Sequence, residues 1–332
     1  MSGAQPTASD VAKSFEGTAL EGMCRAIVEA ECALFAAGPA PIARAMHEAL
    51  ADALRQNEAQ AVTSRESRSA FALASGAALQ GDLSAVAMSS EGMRLCAEDL
   101  DMALRNELRM VIINVQGGVQ SDVQFVRWAS VGGYPMIVLT PDGPQSSYDL
   151  TRRAFQIAEH FCMPVIIMTE LPTLEKRGRI TPHPPRPLLF ALTPTDLSNE
   201  SCPYSRQIAE KLDPYREALE DVLLDAAAGD GPDTLVIAFG ATRDAAHQAV
   251  VAARAAGKSV SLLLVRSLWP APKLAIRQAL QHAQRVVVVE LNFGQYRREV
   301  ERQLGPHGPQ VIGVHRMDGE MIEAERIVAQ CL

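Results

Sequence analysis

Three continuous apolar runs in the C-terminal part of the chain constrain the fold most strongly. They begin at Thr234, Val260 and Arg285, and each ends in a polar or glycine-containing turn. Amphipathic segments of helix length separate them. Strands of a parallel sheet that is covered on both faces have this continuous apolar character. The runs therefore predict an α/β domain built on a parallel sheet.

Length and composition predict two such domains. The chain has 332 residues, of which 48% are hydrophobic and only 5% are aromatic. That length suits two cores of roughly 100–200 residues each. Many small aliphatic residues and few aromatic ones are typical of layered α/β proteins. We expect two three-layer α/β/α domains with mainly parallel sheets.

The charge pattern argues against nucleic-acid and membrane partners. The net charge is −8 and no block of Lys or Arg offsets the general acidity. No apolar run approaches the roughly 20 residues of a membrane span, and the N-terminus does not resemble a secretory signal. We expect a cytoplasmic protein. Its six cysteines form no C-x-x-C pair, so we expect reduced core residues and no local zinc or iron–sulfur site.

Strand-like and helix-like segments alternate along the first half of the chain, which predicts right-handed crossovers in a parallel sheet. The predicted strands are 61–63, 84–88, 110–115, 134–139 and 164–168. The predicted helices are 14–36, 41–55, 67–81, 91–106 and 146–161. A proline-rich stretch follows at 181–187, and 204–228 is predicted to be helical. We therefore expect domains at 1–180 and 233–332, joined by a linker at 181–232.

The C-terminal runs also carry a family pattern. G-A-T at 240–242, S-L-W-P-A-P at 267–272 and V-V-V-V-E-L-N-F-G-Q at 286–295 follow one another in that order. The series resembles the transketolase C-terminal-like domain of the 2-oxoacid:acceptor oxidoreductases. These are thiamine-diphosphate enzymes, and the match is to their alpha subunit.

The first domain resembles the same family. The segment 20–30 is similar to its N-E-A-x-A-x-G-A-x-E-A helix, 111–118 to V-I-V-D-V-Q-R-G-G, and 151–159 to L-T-R-x-A-F-x-L-A-E. Ser89 to Gly92, followed by Glu98, resembles the T-S-G-P-G turn with its downstream Glu. The similarity spans about 17–170 and 233–317.

This resemblance implies a pyrimidine-binding domain for thiamine diphosphate. The family's diphosphate motif is G-D-G with a later Asn pair, whose oxygen ligands hold Mg²⁺. Gly229 to Gly231 does not fit it, because Pro232 follows and this turn precedes a strand. We interpret it as a linker turn. The resemblance then implies a beta subunit that supplies the diphosphate site, Mg²⁺ and the iron–sulfur clusters, in an α2β2 assembly.

Thiamine catalysis needs a protein carboxylate against the aminopyrimidine ring. The candidate is Glu66, one position earlier than the family spacing, which would place the acid at Ser67. Glu66 is either this acid or a solvated residue at the start of a helix. Ser89, Ser90 and Glu91 are expected to line the cofactor pocket.

Two further charged residues are candidates with open alternatives. Glu98 is either a second carboxylate at the subunit boundary or a helix-face charge near Arg94 or Arg105. Arg127 either approaches the substrate pocket or lies on an exposed face.

The expected substrate site departs from the family. The family's Y-P-I-T-P turn offers a Thr hydroxyl to the 2-oxoacid, whereas here Pro39 and Ala40 stand in a turn without one. The loop after 111–118 is shorter, and the family's G-S-H-G has become 129–132 without His. These changes remove charge-assisted hydrogen bonds to a small carboxylate.

Three functions remain open. The first is an alpha subunit that decarboxylates a 2-oxoacid with its beta partner and passes electrons to ferredoxin, commonly with CoA as acyl acceptor. The second is a non-redox carboligase subunit, and the third is a scaffold subunit whose site has eroded. The seven histidines lack metal-ligand spacing, so no metal site is expected on this chain. Glu290, Asn292 and Gln295 match a family turn that shapes subunit contacts.

Overall fold

The computed structural model describes residues 13–129, 135–184, 211–228, 231–280 and 283–332. The N-terminal elements are β1 (Phe15–Thr18), α1 (Ala19–Glu29), β2 (Leu34–Ala37), α2 (Pro41–Gln56), β3 (Gln60–Thr63), α3 (Ser67–Leu79), β4 (Ser84–Ser89), α4 (Ser90–Leu95), α5 (Ala97–Arg105), β5 (Met110–Gln116), α6 (Val123–Arg127), β6 (Ile137–Leu139), α7 (Pro144–Phe161), β7 (Val165–Glu170), α8 (Leu171–Glu175) and β8 (Arg177–Ile180).

Most of the C-terminal elements form a second, smaller layered unit. The C-terminal elements are a 3₁₀ turn (Asp213–Tyr215), α9 (Arg216–Leu219), β9 (Val222–Asp225), β10 (Thr234–Ala238), a 3₁₀ turn (Gly240–Thr242), α10 (Arg243–Ala255), β11 (Val260–Val265), β12 (Ser267–Trp269), α11 (Lys273–Leu280), β13 (Arg285–Glu290), α12 (Gln295–Leu304), β14 (Gln310–His315) and α13 (Ala324–Cys331).

The larger sheet has seven strands in the order β12-β6-β7-β5-β4-β2-β3. All neighbours are parallel except β12, which comes from the C-terminal part and pairs antiparallel with β6. Every residue of β5 and β7 is buried, as strands covered on both faces must be. Helix α1 packs on α2 and α7, while α3 packs on α4 and α5. Helices therefore cover both faces, in line with right-handed crossovers.

The smaller sheet has five strands in the order β14-β13-β10-β11-β9, parallel except for β9. Helices α10 and α13 pack together over one face. The other face, with α11 and α12, shares one continuous core with the larger sheet. The prediction of two three-layer α/β/α units with mainly parallel sheets is confirmed.

The predicted helix at 14–36 is wrong, because it contains two strands. Thr18 and Glu21 form a capping box that starts α1 only at Ala19. The chain leaves α1 through Glu31, which has a φ of +56°. Leu34 to Ala37 then form β2 between β3 and β4. The run Leu-Phe-Ala-Ala is too short for periodicity to separate helix from buried strand.

The helix predicted at 204–228 is only partly correct over its described part, because Arg216–Leu219 is helical but Val222–Asp225 is not. Val222 to Asp225 form β9, which pairs antiparallel with Val265 to Leu262. This pairing is a tertiary effect that overrides local propensity. The predicted linker at 181–232 therefore contains β9, whereas β8, which pairs with β1, ends at Ile180 just before it. The predicted helix at 91–106 is interrupted at Cys96.

Candidate functional site

The larger sheet has a topological switch point between β2 and β4. The chain passes from β2 to β3 in one direction and from β4 to β5 in the other. Ala37 is in register with both Thr63 and Ala87, so the carboxyl ends of β2 and β3 are level there, while β4 continues to Ser89. Ligands of open α/β sheets bind in such a crevice. The predicted substrate turn at Pro39 and Ala40 and the predicted cofactor turn at 89–91 flank it.

The backbone turns around this crevice approach one another closely. The Gly38 N–H donates to the Ala87 carbonyl at 2.9 Å. A Cβ on Gly38 would lie 3.3 Å from that oxygen and 3.5 Å from Ser67 Oγ. A Cβ on Gly92 would collide with the same Ser67 hydroxyl. The structure therefore brings together the turns after β2, β3 and β4, with the buried Ser67 side chain between them.

Glu66 is the N-cap residue of α3, but its side chain does not cap the helix. Its carboxylate is exposed at the carboxyl end of β3, the edge strand of the sheet. Within the described ranges no hydrogen bond or ion pair engages this carboxylate. Its backbone N–H donates to Ser64 Oγ at 3.3 Å. An acid in this position is free to meet a group that approaches from outside the sheet.

The predicted cofactor turn has a local role that the structure makes explicit. Ser89 is the N-cap of α4, and its Oγ accepts a hydrogen bond from the Gly92 N–H at 3.2 Å. Ser90 is half-buried and Glu91 is exposed. The Ser89 hydroxyl is therefore partly committed to the helix, whereas Glu91 faces solvent at the crevice.

Glu98 lies on α5 beside α3 and is an exposed member of an ion-pair cluster. Arg68 contacts Glu98 at 3.8 Å and Asp99 at 2.8 Å, and 78% of the Glu98 side chain is exposed. Exposed pairs of this length contribute little stability. Glu98 thus lies next to α3 and contacts Arg68, which follows Glu66 by two residues.

The two arginines named as neighbours of Glu98 form ion pairs with other acids. Arg94 contacts Asp122, a fully buried carboxylate that also accepts from Asn114 Nδ2 at 3.0 Å. Arg105 pairs with Asp101 one turn earlier on α5.

Arg127 does not join the switch-point residues. Its guanidinium contacts Glu299 at 3.0 Å and lies 4.3 Å from the centre of the Trp269 ring, with 23% of the side chain exposed. The expected exposed face is therefore wrong. Arg127 lines a separate groove of about 550 Å³ with Trp128 and Trp269, to which no residue of the turns after β2, β3 or β4 contributes.

The predicted family turn at 290–295 ties the two sheets of one chain together. The buried Glu290 carboxylate accepts from the backbone N–H groups of Tyr296 and Arg297 at 2.8 and 3.0 Å. Burial raises its pKa, and these hydrogen bonds oppose the rise. Asn292 donates to the Gln120 carbonyl at 3.2 Å, which joins this turn to the loop after β5.

A buried acid that sequence reasoning missed lies where the two sheets meet. Glu170 ends β7 and is fully buried. It accepts from Gln120 Nε2 at 2.7 Å, Thr173 Oγ1 at 3.0 Å and the Ala241 N–H at 3.1 Å. Burial raises its pKa, and the three hydrogen bonds oppose this. The sequence signal that indicates it is an acid at the last position of a continuous apolar strand.

Gly240 faces this carboxylate with a φ of +55°. A Cβ there would lie 2.5 Å from a Glu170 oxygen. The G-A-T turn therefore needs glycine at its first position both for conformation and for space.

The described residues include no group of three or more His, Cys, Asp or Glu side chains placed to hold a metal ion. Gly229 and Asp230 of the predicted linker turn, His282 and Cys202 fall outside the described residues. Cys24, Cys32, Cys96 and Cys331 are buried as expected, and Cys162 is partly exposed. None of the described helices has the length and apolarity needed to span a bilayer.

Two family models match the chain and together cover most of it. Residues 25–192 match the pyruvate flavodoxin/ferredoxin oxidoreductase thiamine-diphosphate-binding domain. Residues 232–327 match core domain II of pyruvate:ferredoxin oxidoreductase.

Curated relatives agree with these models. The chain is 25% identical to the 2-oxoglutarate synthase subunit KorA of Methanothermobacter marburgensis, over 85% of this chain and 89% of that one. It is 26% identical to the ketoisovalerate oxidoreductase subunit VorB of Methanothermobacter thermautotrophicus, over 80% and 82%.

Solved structures share the fold. A 2-oxoglutarate:ferredoxin oxidoreductase from Magnetococcus marinus superposes with a TM-score of 0.80 at 18% identity. That match covers 95% of this chain, which spans 64% of the larger one. An inactive split-gene transketolase superposes with a TM-score of 0.64 at 15% identity, over 95% and 96%. With a thiamine-diphosphate-binding model matching half of its length, the chain belongs to the alpha-subunit family of the thiamine-diphosphate-dependent 2-oxoacid:ferredoxin oxidoreductases.

Proposed function

We propose that this chain is the pyrimidine-binding subunit of an enzyme that oxidatively decarboxylates a 2-oxoacid together with a beta subunit. The observation that carries the proposal is the unpaired, exposed Glu66 carboxylate beside the switch-point crevice. A surface acid without a partner in the described chain, at the carboxyl edge of a sheet, is suited to a ligand shared with another subunit.

The residues present fit the pyrimidine half of the cofactor. When bound, thiamine diphosphate supplies a carbon nucleophile for the keto group and a thiazolium ring that accepts the electron pair released by decarboxylation. Glu66 would hold a proton against the aminopyrimidine ring. The turns at 38–40 and 89–91 would form the walls of the crevice, with Ser90, Glu91 and Glu98 nearest the subunit boundary. We leave Arg127 outside this site because it lies in a separate groove.

The other half of the site is proposed to come from a beta subunit. That subunit would carry the diphosphate motif with Mg²⁺ and the iron–sulfur clusters, in an α2β2 assembly. Ferredoxin would take the electrons and CoA the acyl group. The named relatives act on 2-oxoglutarate and ketoisovalerate, which supports a small 2-oxoacid as substrate.

The test is co-expression with a beta subunit of the same family, followed by thiamine-dependent turnover of 2-oxoacids. We expect Glu66→Gln to lower turnover by about 10²-fold or more, because a positioned general acid–base group contributes that much. Glu58→Gln is the matched control, since Glu58 is an exposed acid at the amino end of the same strand.

Three results would contradict the proposal or refine it. Glu66→Gln activity within two-fold of the control would refute the assigned role. A colourless partner with bound thiamine diphosphate would favour the carboligase, whereas iron–sulfur absorbance supports the oxidoreductase. A complex that binds no thiamine diphosphate would leave the scaffold function.

A further inference from the structure

Four arginines surround the carboxyl ends of β2, β3 and β4, and they differ in their partners. Arg68 is held by Asp99 and Glu98, and Arg94 by the buried Asp122. Arg44 and Arg65 are exposed and form no ion pair with any residue in the described ranges. The positive charge that remains uncompensated at this edge of the sheet is therefore that of Arg44 and Arg65.

These two arginines face one groove although they come from different elements. The groove has a volume of about 520 Å³ and is lined by Arg44, His47, Glu48, Thr63, Ser64 and Arg65. Its floor is the carboxyl end of β3, and its wall is the first half of α2. Because a helix and a strand-end turn both contribute, two arginines from different elements line one concave surface.

The groove adjoins both halves of the predicted site. Arg44 lies one turn beyond Ala40, with its N–H donating to the Ala40 carbonyl at 3.1 Å, and a helical turn advances about 5.4 Å. Arg65 directly precedes Glu66. The groove thus begins where the family's substrate hydroxyl is replaced by Ala40 and where the proposed cofactor acid projects.

The charges in the groove favour an anion. The described residues that line it include two arginines and one acid, Glu48, so the positive charges exceed the negative ones by one. The His47 ring is fixed by its Nε2, which lies 3.3 Å from the Ala61 carbonyl oxygen. Planar guanidinium groups bind carboxylates with two parallel hydrogen bonds each. A small carboxylate matches both the charge and the donor geometry.

We propose that Arg44 and Arg65 bind a carboxylate of the 2-oxoacid substrate. This inference rests on the proposed function and assigns the substrate-recognition residues of the same site. The pair would bind the substrate in place of the Thr hydroxyl that the turn at Pro39 and Ala40 lacks.

The test measures KM and kcat of the complex with its beta subunit for Arg44→Gln and Arg65→Gln. We expect each variant to raise KM about ten-fold or more, as the loss of a charge-assisted hydrogen bond does, with kcat within about three-fold. Arg55→Gln is the control, because Arg55 lies on the same helix with 78% of its side chain exposed.

Two substrates identify which carboxylate is bound. A rise in KM for both 2-oxoglutarate and 2-oxoisovalerate supports binding of the carboxylate next to the keto group. A rise for 2-oxoglutarate alone supports binding of the distal carboxylate. KM values within two-fold of the control for both variants and both acids would overturn the proposal.

Direct binding separates this inference from the proposed function. Calorimetric titration of 2-oxoglutarate into the Glu66→Gln complex measures affinity without turnover, and we expect Arg44→Gln in that background to weaken it about ten-fold. If the complex turns over a 2-oxoacid but neither arginine substitution changes its affinity for 2-oxoglutarate, only this inference fails. If 2-oxoglutarate binds through Arg44 but no 2-oxoacid is turned over, only the proposed function fails.

Discussion

Replacing Glu170 by Ala should destabilise the junction between the two sheets. The substitution removes the acceptor for the Ala241 N–H and the Thr173 hydroxyl, while Gln120 Nε2 keeps a second acceptor, the Phe239 carbonyl at 3.1 Å. A buried donor left without an acceptor costs about 1–3 kcal/mol. Two such donors lower the free energy of unfolding by about 2–6 kcal/mol. This loss is smaller in practice, because the variant no longer has to desolvate a buried carboxylate. We expect a net loss of about 2 kcal/mol or more.

The assay is urea unfolding of the purified chain, followed by circular dichroism and tryptophan fluorescence. Glu170→Gln is the matched control, because it keeps the side-chain volume and one carbonyl acceptor but carries no charge. We expect its free energy of unfolding to lie between those of the Ala variant and the wild type at acidic pH.

The pH dependence of this comparison has a defined sign. Burial raises the pKa of Glu170 above its ordinary value of 4.5, so the folded state holds a proton that the unfolded state has released. Stability therefore falls as pH rises from about 4.5 through the folded-state pKa. The advantage of wild type over Glu170→Gln should be largest below pH 4.5 and should shrink above it.

Either of two results would refute this reasoning. The first is a Glu170→Ala variant whose free energy of unfolding lies within about 0.5 kcal/mol of wild type, since a surface substitution does no more than this. The second is an advantage over Glu170→Gln that grows as pH rises.

Two further predictions follow from other buried groups. Burial would raise the pKa of Glu299, but hydrogen bonds from Arg302 and Gln303 and the charge of Arg127 outweigh it, so the pKa is lowered. In urea titrations, the stability advantage of wild type over Glu299→Gln should therefore be fully present above pH 4.5. It should vanish as pH falls through the folded-state pKa. Burial raises the pKa of the Cys24, Cys32 and Cys96 thiols to about 12. Peptide mapping after brief alkylation of the native chain should therefore find all three unlabelled. Prompt labelling of any of them would contradict their packing.

The strands of both sheets were predictable wherever the sequence carries long apolar runs. The sequence predicts strands at β5, β7, β10, β11 and β13. A strand buried on both faces is apolar along its whole length, and this is visible in the local sequence. The short strands β2 and β9 were missed, although the similarly short β3 and β6 were predicted. β2 and β9 each have four residues, and β9 becomes a strand only by pairing with β11.

For the candidate site, the sequence by itself predicted which turns and which acid to consider, while the structure decided which of them lie together. Glu66, the turn at Pro39 and Ala40, and the turn at 89–91 follow from local motifs at strand ends. Arg44 has no motif, and only the structure shows that it lines the same groove as the turn after β3.

The sequence determined that this chain is an α/β protein of two layered units, because apolar run length and crossover spacing are local properties that fix strand burial and handedness. Only the tertiary structure decided how the units join. Glu170 meets Ala241 and Asn292 meets Gln120 across more than 70 residues of chain. Such contacts depend on the positions of whole sheets, which no local stretch of sequence specifies.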